Sequence, residues 1–165
     1  MNEIFKRISV RKFEDKPVEK EKLIQLMKAA MASPSAGNQQ PWEFFIVTDK
    51  TKIAELSKAS QYAGCATNAP VVIVPCYRTE GLRFPEFDQI DTAIATENIW
   101  LEAISLGLGA VWLAIAPITE RMEKVTAALA LPNTLKPFAL IPVGYPAENR
   151  PQQNRFDENK IHWIQ

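Results

Sequence analysis

Pro34-Ser35-Ala36-Gly37-Asn38-Gln39-Gln40-Pro41-Trp42-Glu43-Phe44-Phe45-Ile46-Val47 runs from a polar segment straight into an aromatic and β-branched one. The Ser/Gly/Asn/Gln-rich half has loop composition, and the half from Trp42 has the residue types of a strand. Upstream, Leu23, Ile24, Leu26, Met27, Ala30 and Met31 recur at helical spacing among Lys20, Glu21, Lys22, Gln25 and Lys28. That pattern predicts an amphipathic helix from about Val18 that Pro34 ends. The polar motif therefore rides on a helix-to-strand connection.

The alternation continues downstream. Asp49 or Thr51 can cap a second helix reaching about Ala59, and Ala69 to Val74 reads as a buried strand. Asp88 to Leu106 contains neither glycine nor proline and is apolar on most faces, which predicts a helix buried nearly all round. One small core rarely covers so much apolar surface, so a second subunit is expected to cover the rest, with a central helix of a monomer as the alternative. Gly107 and Gly109 break this helix ahead of a strand over Ala110 to Ile115; Thr119 can cap a helix through Leu129, and Phe138 to Gly144 is the last strand. Pro142 lacks a ladder donor, which places that strand at an edge or in an irregular pairing. The remainder, Tyr145 to Gln165, is a polar arm with an apolar tip at Ile161, His162, Trp163 and Ile164, fit to dock on its own subunit or on a neighbour.

A chain of 165 residues with 47% hydrophobic content suits one domain with one substantial core. Nineteen basic and nineteen acidic residues give zero formal net charge, so there is no overall field to gather nucleic acid or an anionic membrane, and any anion site must be local. The opening residues lack the apolar run of a signal peptide and no later stretch has membrane-spanning length, so a soluble cytoplasmic protein is expected. Cys65, Cys76 and His162 are too few for a zinc site or a histidine-based triad, and two reduced thiols are expected in place of a disulfide.

Arg7 and Arg11 flank Ser9 in Arg7-Ile8-Ser9-Val10-Arg11. A helical conformation would put both guanidinium groups on one face about one turn apart, where their fork-shaped donors suit phosphate oxygens. The bland alternative is a pair of solvated charges. The polar loop after Pro34 offers the further parts a flavin mononucleotide (FMN) requires: hydrogen bonds for a pyrimidine edge and shelter for a ring face. Gly107-Leu108-Gly109 is no dinucleotide fingerprint, because Trp112 stands at the third glycine position and the segment precedes a strand.

Along nearly its whole length the chain resembles the nitroreductase family of FMN-dependent oxidoreductases. Arg7, Ile8, Ser9 and Arg11 resemble that family's phosphate-binding segment. Pro34, Ser35, Ala36, Asn38 and Gln40, leading to Pro41-Trp42, are similar to its flavin-cradling loop, which in the family reaches across a dimer. Trp112, Leu113 and Ala114 resemble the strand whose backbone faces the flavin, Arg155 resembles an additional phosphate-binding arginine, and Gln61 stands where some members contact the pyrimidine edge.

The resemblance implies an α/β (α+β) fold of three layers, a central mixed sheet flanked by helices, in an intertwined homodimer with FMN at the interface. It implies NADH or NADPH as donor and nitroaromatics, quinones or related small molecules as acceptors, in two hydride-transfer steps through the flavin, and no side chain is nominated as an essential proton donor. The same flavin fold with a narrower acceptor (an enone, an aldehyde or flavin itself) and a non-catalytic flavin-binding protein are the alternatives. Tyr77 to Phe87 is too short for the extended substrate lid of the deiodinase relatives. Arg78, Glu80 and Arg83 within it are either substrate contacts or simply solvated, and Trp42, Trp100 and Trp112 are expected as core or interface aromatics.

Overall fold

The computed structural model describes residues 3–164. Its helices are α1 (Glu3–Lys6), α2 (Lys20–Met31), α3 (Lys50–Leu56), α4 (Asp88–Ser105) and α5 (Thr119–Leu129). Its strands are β1 (Trp42–Val47), β2 (Val71–Arg78), β3 (Gly109–Ala110), β4 (Leu113–Ala114), β5 (Leu135–Pro137) and β6 (Ala139–Gly144). The sheet runs β1-β2-β6-β3, with β4 pairing β6 and β5 pairing β2.

Three layers follow from period-two alternation along the central strands. In β2, Val71, Ile73 and Tyr77 face a core with α2 and α4, while Val72, Val74 and Cys76 face the opposite core with α3 and α5. β6 alternates likewise, sending Ala139, Ile141 and Val143 to the first core and Leu140 to the second. Both faces of these strands are covered, which is why they read as continuous apolar runs.

Several expectations hold with small adjustments. Asp49 caps α3, its carboxylate accepting from the Lys52 amide at 2.8 Å, but the helix stops at Leu56. Ile118, not Thr119, is the cap residue of α5. The predicted strand over 110–115 divides into β3 and β4, and β5 was not anticipated. Among the described residues every strand ladder is antiparallel, the one parallel element being the bridge between Ser9 and Ala110.

Pro142 is central, not at an edge. It pairs with Val72 on one side, and on the other it lies opposite the interval between β3 and β4, where the ladder is interrupted at Val111 and Trp112. The missing N–H thus coincides with a gap in pairing, which is the irregular alternative.

The α4 helix buries Asp91, Thr92, Ala95, Thr96, Ile99, Trp100 and Ala103. Ile90 and Ile94, one turn apart, stay exposed at 56% and 37%, so part of its apolar surface lies uncovered by this chain. Cys65 and Cys76 are free thiols. No helix among the described residues is long and apolar enough to cross a membrane.

Candidate functional site

The segment Arg7 to Arg11 is extended, contrary to the helical expectation: α1 ends at Lys6, Ser9 bridges Ala110 and the Val10 amide donates to the Ala110 carbonyl at 2.9 Å. Extended backbone alternates its side chains, so Arg7, Ser9 and Arg11 share one face while Val10 turns inward and is 3% exposed. Val10 seats against Gly109, where a Cβ would meet its side chain at 2.7 Å.

That outward face forms one wall of a depression of about 260 Å³ lined by Arg7, Ile8, Ser9, Arg11, Arg150, Pro151, Gln152, Gln153 and Arg155. The N-terminal segment and the root of the C-terminal arm meet here. The Glu14 amide donates to the Tyr145 carbonyl and the Ala147 amide to the Lys12 carbonyl, each at 2.9 Å, so the root of the arm runs antiparallel to residues 12–14. The Gln152 side chain then donates to the Ile4 carbonyl at 3.0 Å. Arg155 lines this same depression, and so does Arg150, which was not singled out in the sequence.

Arg7 carries the most telling feature. Its guanidinium carbon stands 4.2 Å from the centroid of the Trp100 ring, and its Nη1 is buried with no hydrogen-bond partner among the described residues. A buried donor of this kind is costly unless an acceptor reaches it. Four guanidinium groups around one small depression, one with an orphaned donor, fit a dianionic phosphate such as that of FMN.

The polar loop after α2 is built differently. Gly37, Asn38 and Gln40 hold φ of 53°, 54° and 47°, the left-handed region. A Cβ on Gly37 would meet the Phe84 ring at 2.5 Å, so only glycine fits there. Local hydrogen bonds fix the shape: Ser35 Oγ accepts from the Gln40 amide and Gln40 Nε2 donates to Asn38 Oδ1, both at 3.0 Å.

Asp91, only 3% exposed, accepts from the Ala36 amide at 3.0 Å and from Gln39 Nε2 at 2.8 Å. Gln39 also donates to the Phe84 carbonyl at 2.9 Å and accepts from the Phe84 amide at 3.0 Å, and Arg78 donates to the carbonyls of Gln39 and Gln40. Gln39 and Asp91 were not singled out in the sequence. Their signal is a buried-helix carboxylate placed among apolar residues, which needs donors. Pro34, Asn38 and Gln40 remain exposed and face outward from this framework.

The loop and the arginine depression lie apart within one chain. Asp91 anchors the loop at the start of α4 and Trp100 backs Arg7 nine residues later, about 14 Å along the helix axis at the usual rise. Trp112 packs edge-on against Phe138 with ring centroids 5.5 Å apart, Leu113 is buried, and the exposed Ala114 gives its carbonyl to Arg121 at 2.9 Å. Gln61 falls elsewhere, in a depression of about 270 Å³ with Ala59, Ser60, Ile118, Glu120, Arg121 and Lys124. Among the described residues no cluster of three or more His, Cys, Asp or Glu is placed to hold a metal ion.

The family model "Nitroreductase family" matches residues 4–63 and 61–145. A Methanothermobacter thermautotrophicus protein, provisionally named NADH dehydrogenase/NAD(P)H nitroreductase, is 37% identical over 94% of this chain and 82% of its own length. An FMN-dependent nitroreductase from Clostridium difficile R20291 superposes with a TM-score of 0.92 at 31% identity, covering 99% of this chain and 98% of that one. A provisionally named nitroreductase from Desulfovibrio desulfuricans, solved with FMN, gives a TM-score of 0.87 at 28% identity over 99% and 95%. A three-layer fold with an extended Arg-x-Ser-x-Arg wall on an anion-sized depression therefore has a family, and this chain belongs to the nitroreductases.

Proposed function

We propose that the chain is a single FMN-binding domain, with residues 145–165 as an arm, which reduces nitroaromatics, quinones or related small acceptors with NADH or NADPH. The chain is an oxidoreductase of the FMN- and NAD(P)H-using kind, as its family and the names of its relatives support. The observation that carries the reading is a depression lined by four arginines, one of which, Arg7, has a buried Nη1 with no hydrogen-bond partner among the described residues.

FMN, when bound, supplies the two-electron chemistry that connects a nicotinamide hydride to an acceptor. Arg7, Arg11, Arg150 and Arg155 would hold its phosphate with Ser9 adding a hydroxyl. Ser35, Ala36, Asn38 and Gln40 would meet the ring, and the backbone of Trp112 to Ala114, beside the interrupted ladder, would face it. Positioning and electrostatics suffice for hydride transfer, so no protein nucleophile is needed.

The working unit in this reading is a homodimer. Loop and arginine depression are separated along α4, so a loop from a second copy would complete each site. Exposed Ile90 and Ile94 on α4, and Phe156, Trp163 and Ile164 on the arm at 75%, 81% and 99% exposure, offer the apolar surface for that contact. We place the protein in the cytoplasm, with no nucleic-acid or membrane partner.

Purified protein is expected to be yellow and to bleach on anaerobic addition of NADH or NADPH, recovering colour with a nitroaromatic or quinone. A colourless protein that neither takes up FMN nor oxidises either nicotinamide refutes the reading. Sedimentation at micromolar concentration is expected to show a dimer, and a stable monomer with full FMN contradicts the shared site.

A further inference from the structure

Glu148 is a carboxylate beside the arginine depression proposed to hold an anion, paired with one of its four guanidinium groups, a placement that on charge alone opposes binding. Its geometry explains it. Glu148 Oε1 accepts from the Arg11 backbone amide at 2.7 Å, and its Oε2 pairs with Arg150 Nη2 at 2.8 Å, with the side chain only 10% exposed. Arg11 lies on the N-terminal wall of the depression and Arg150 on the arm. One side chain thus ties the two walls together, and 137 residues separate the bonded pair Arg11 and Glu148.

We propose that Glu148 is a positioning residue for phosphate recognition: by bonding the Arg11 backbone and the Arg150 guanidinium at once, it holds the arm and the N-terminal segment at the spacing an FMN phosphate requires. This rests on the FMN reading above. Arg150 is 56% exposed on its side chain and would otherwise sample many rotamers, so a fixed carboxylate pre-orients it before the phosphate arrives. Neighbouring contacts fix the same register: the antiparallel bridge of Phe13 with Pro146 and the Ala147 amide on the Lys12 carbonyl bring Glu148 to Arg11. The Glu148 carboxyl is held below its ordinary range chiefly by the Arg11 amide.

The test measures FMN and riboflavin affinity in parallel on the full chain freed of flavin, by quenching of flavin fluorescence. Riboflavin shares the ring and lacks the phosphate. Wild type is expected to prefer FMN by at least about tenfold, the worth of a charge-assisted hydrogen bond; without a preference the phosphate reading itself falls, and the proposal with it. Given that preference, Glu148→Ala is expected to weaken FMN about tenfold and leave riboflavin within about twofold. Glu148→Gln, which keeps an acceptor for Arg11 and loses the charge for Arg150, should fall between. Removing a negative charge beside an anion would by Coulomb attraction alone tighten FMN, so FMN binding equal to or tighter than wild type in Glu148→Ala overturns the proposal. Equal loss of both flavins in both variants overturns it as well, since that is loss of fold and not of phosphate positioning.

Discussion

Gly109 and Val10 are in contact so close that a Cβ on the glycine would lie 2.7 Å from Val10 Cγ2 and 2.8 Å from its Cβ. This contact seats the extended Arg7–Arg11 segment on the end of the sheet and turns its alternate side chains outward.

Gly109→Ala is therefore expected to push the segment off β3. Val10 is β-branched and cannot swing aside, so overpacking should cost roughly 1–3 kcal/mol. Thermal unfolding should shift down by several degrees, and FMN retention should fall with it. An unchanged melting temperature would show that Val10 has room that the contact denies.

Arg7→Met separates stability from binding. The buried Nη1 without a partner is a burden on the flavin-free protein, offset by the stacking of the guanidinium on Trp100. Without flavin, the variant should melt within about 1 kcal/mol of wild type, while the stabilisation wild type gains from added FMN should largely disappear. Differential scanning fluorimetry with and without FMN checks both halves. A full FMN-induced shift in the variant would remove Arg7 from the phosphate site.

Asp91→Ala leaves the Ala36 amide and Gln39 Nε2 without their buried acceptor. The Ala36 amide then lacks its acceptor while Gln39 Nε2 keeps the Phe84 carbonyl, a loss of about 1–3 kcal/mol, and the three left-handed residues of the loop lose part of their restraint. Denaturant unfolding should report the loss, and limited proteolysis should cut between Ser35 and Gln40 faster than in wild type. Equal cleavage rates would show that Ser35 and Gln40 alone hold the loop.

The two thiols should be slow to alkylate in the native protein. Burial pushes the Cys76 thiol up to about 12 and raises Cys65 as well, against the opposing charge of Arg11. Since the thiolate is the reactive form, iodoacetamide at pH 8 should modify neither appreciably until denaturant is added, as intact mass will show. For Cys76 the raised folded value means a stabilising contribution complete below pH 9 and lost as pH rises toward 12, so its signature lies on the alkaline limb. Rapid native labelling of Cys76 would contradict its burial.

How far the sequence could be read depends on which physical signal each element carries. α2 is legible because burial on one face selects apolar residues at every turn, and α4 because a long apolar run holds neither glycine nor proline. The Arg7–Arg11 segment was misread because a spacing of four places two residues on one face of a helix and of a strand alike. Ser9 distinguishes them, since only in extended backbone does it share the face of both arginines. β5, Arg150, Glu148 and Gln39 depend on contacts between distant parts of the chain that local composition does not carry, whereas Asp91 leaves one trace, a carboxylate in a largely apolar helix. Pro142 in the sequence indicates an edge or an irregular pairing; the structure shows the second, and the central location follows from the break opposite it in another strand.

In the proposed reading, the arginine depression between the N-terminal segment and the arm grips the FMN phosphate. Crystals grown with FMN test it most directly. The account predicts phosphate oxygens within about 3 Å of Arg7 Nη1 and the Arg11 guanidinium, with the ring against residues 34–42 of a second copy. Phosphate density away from these arginines, or Arg7 Nη1 still unpartnered with FMN bound elsewhere, would contradict it.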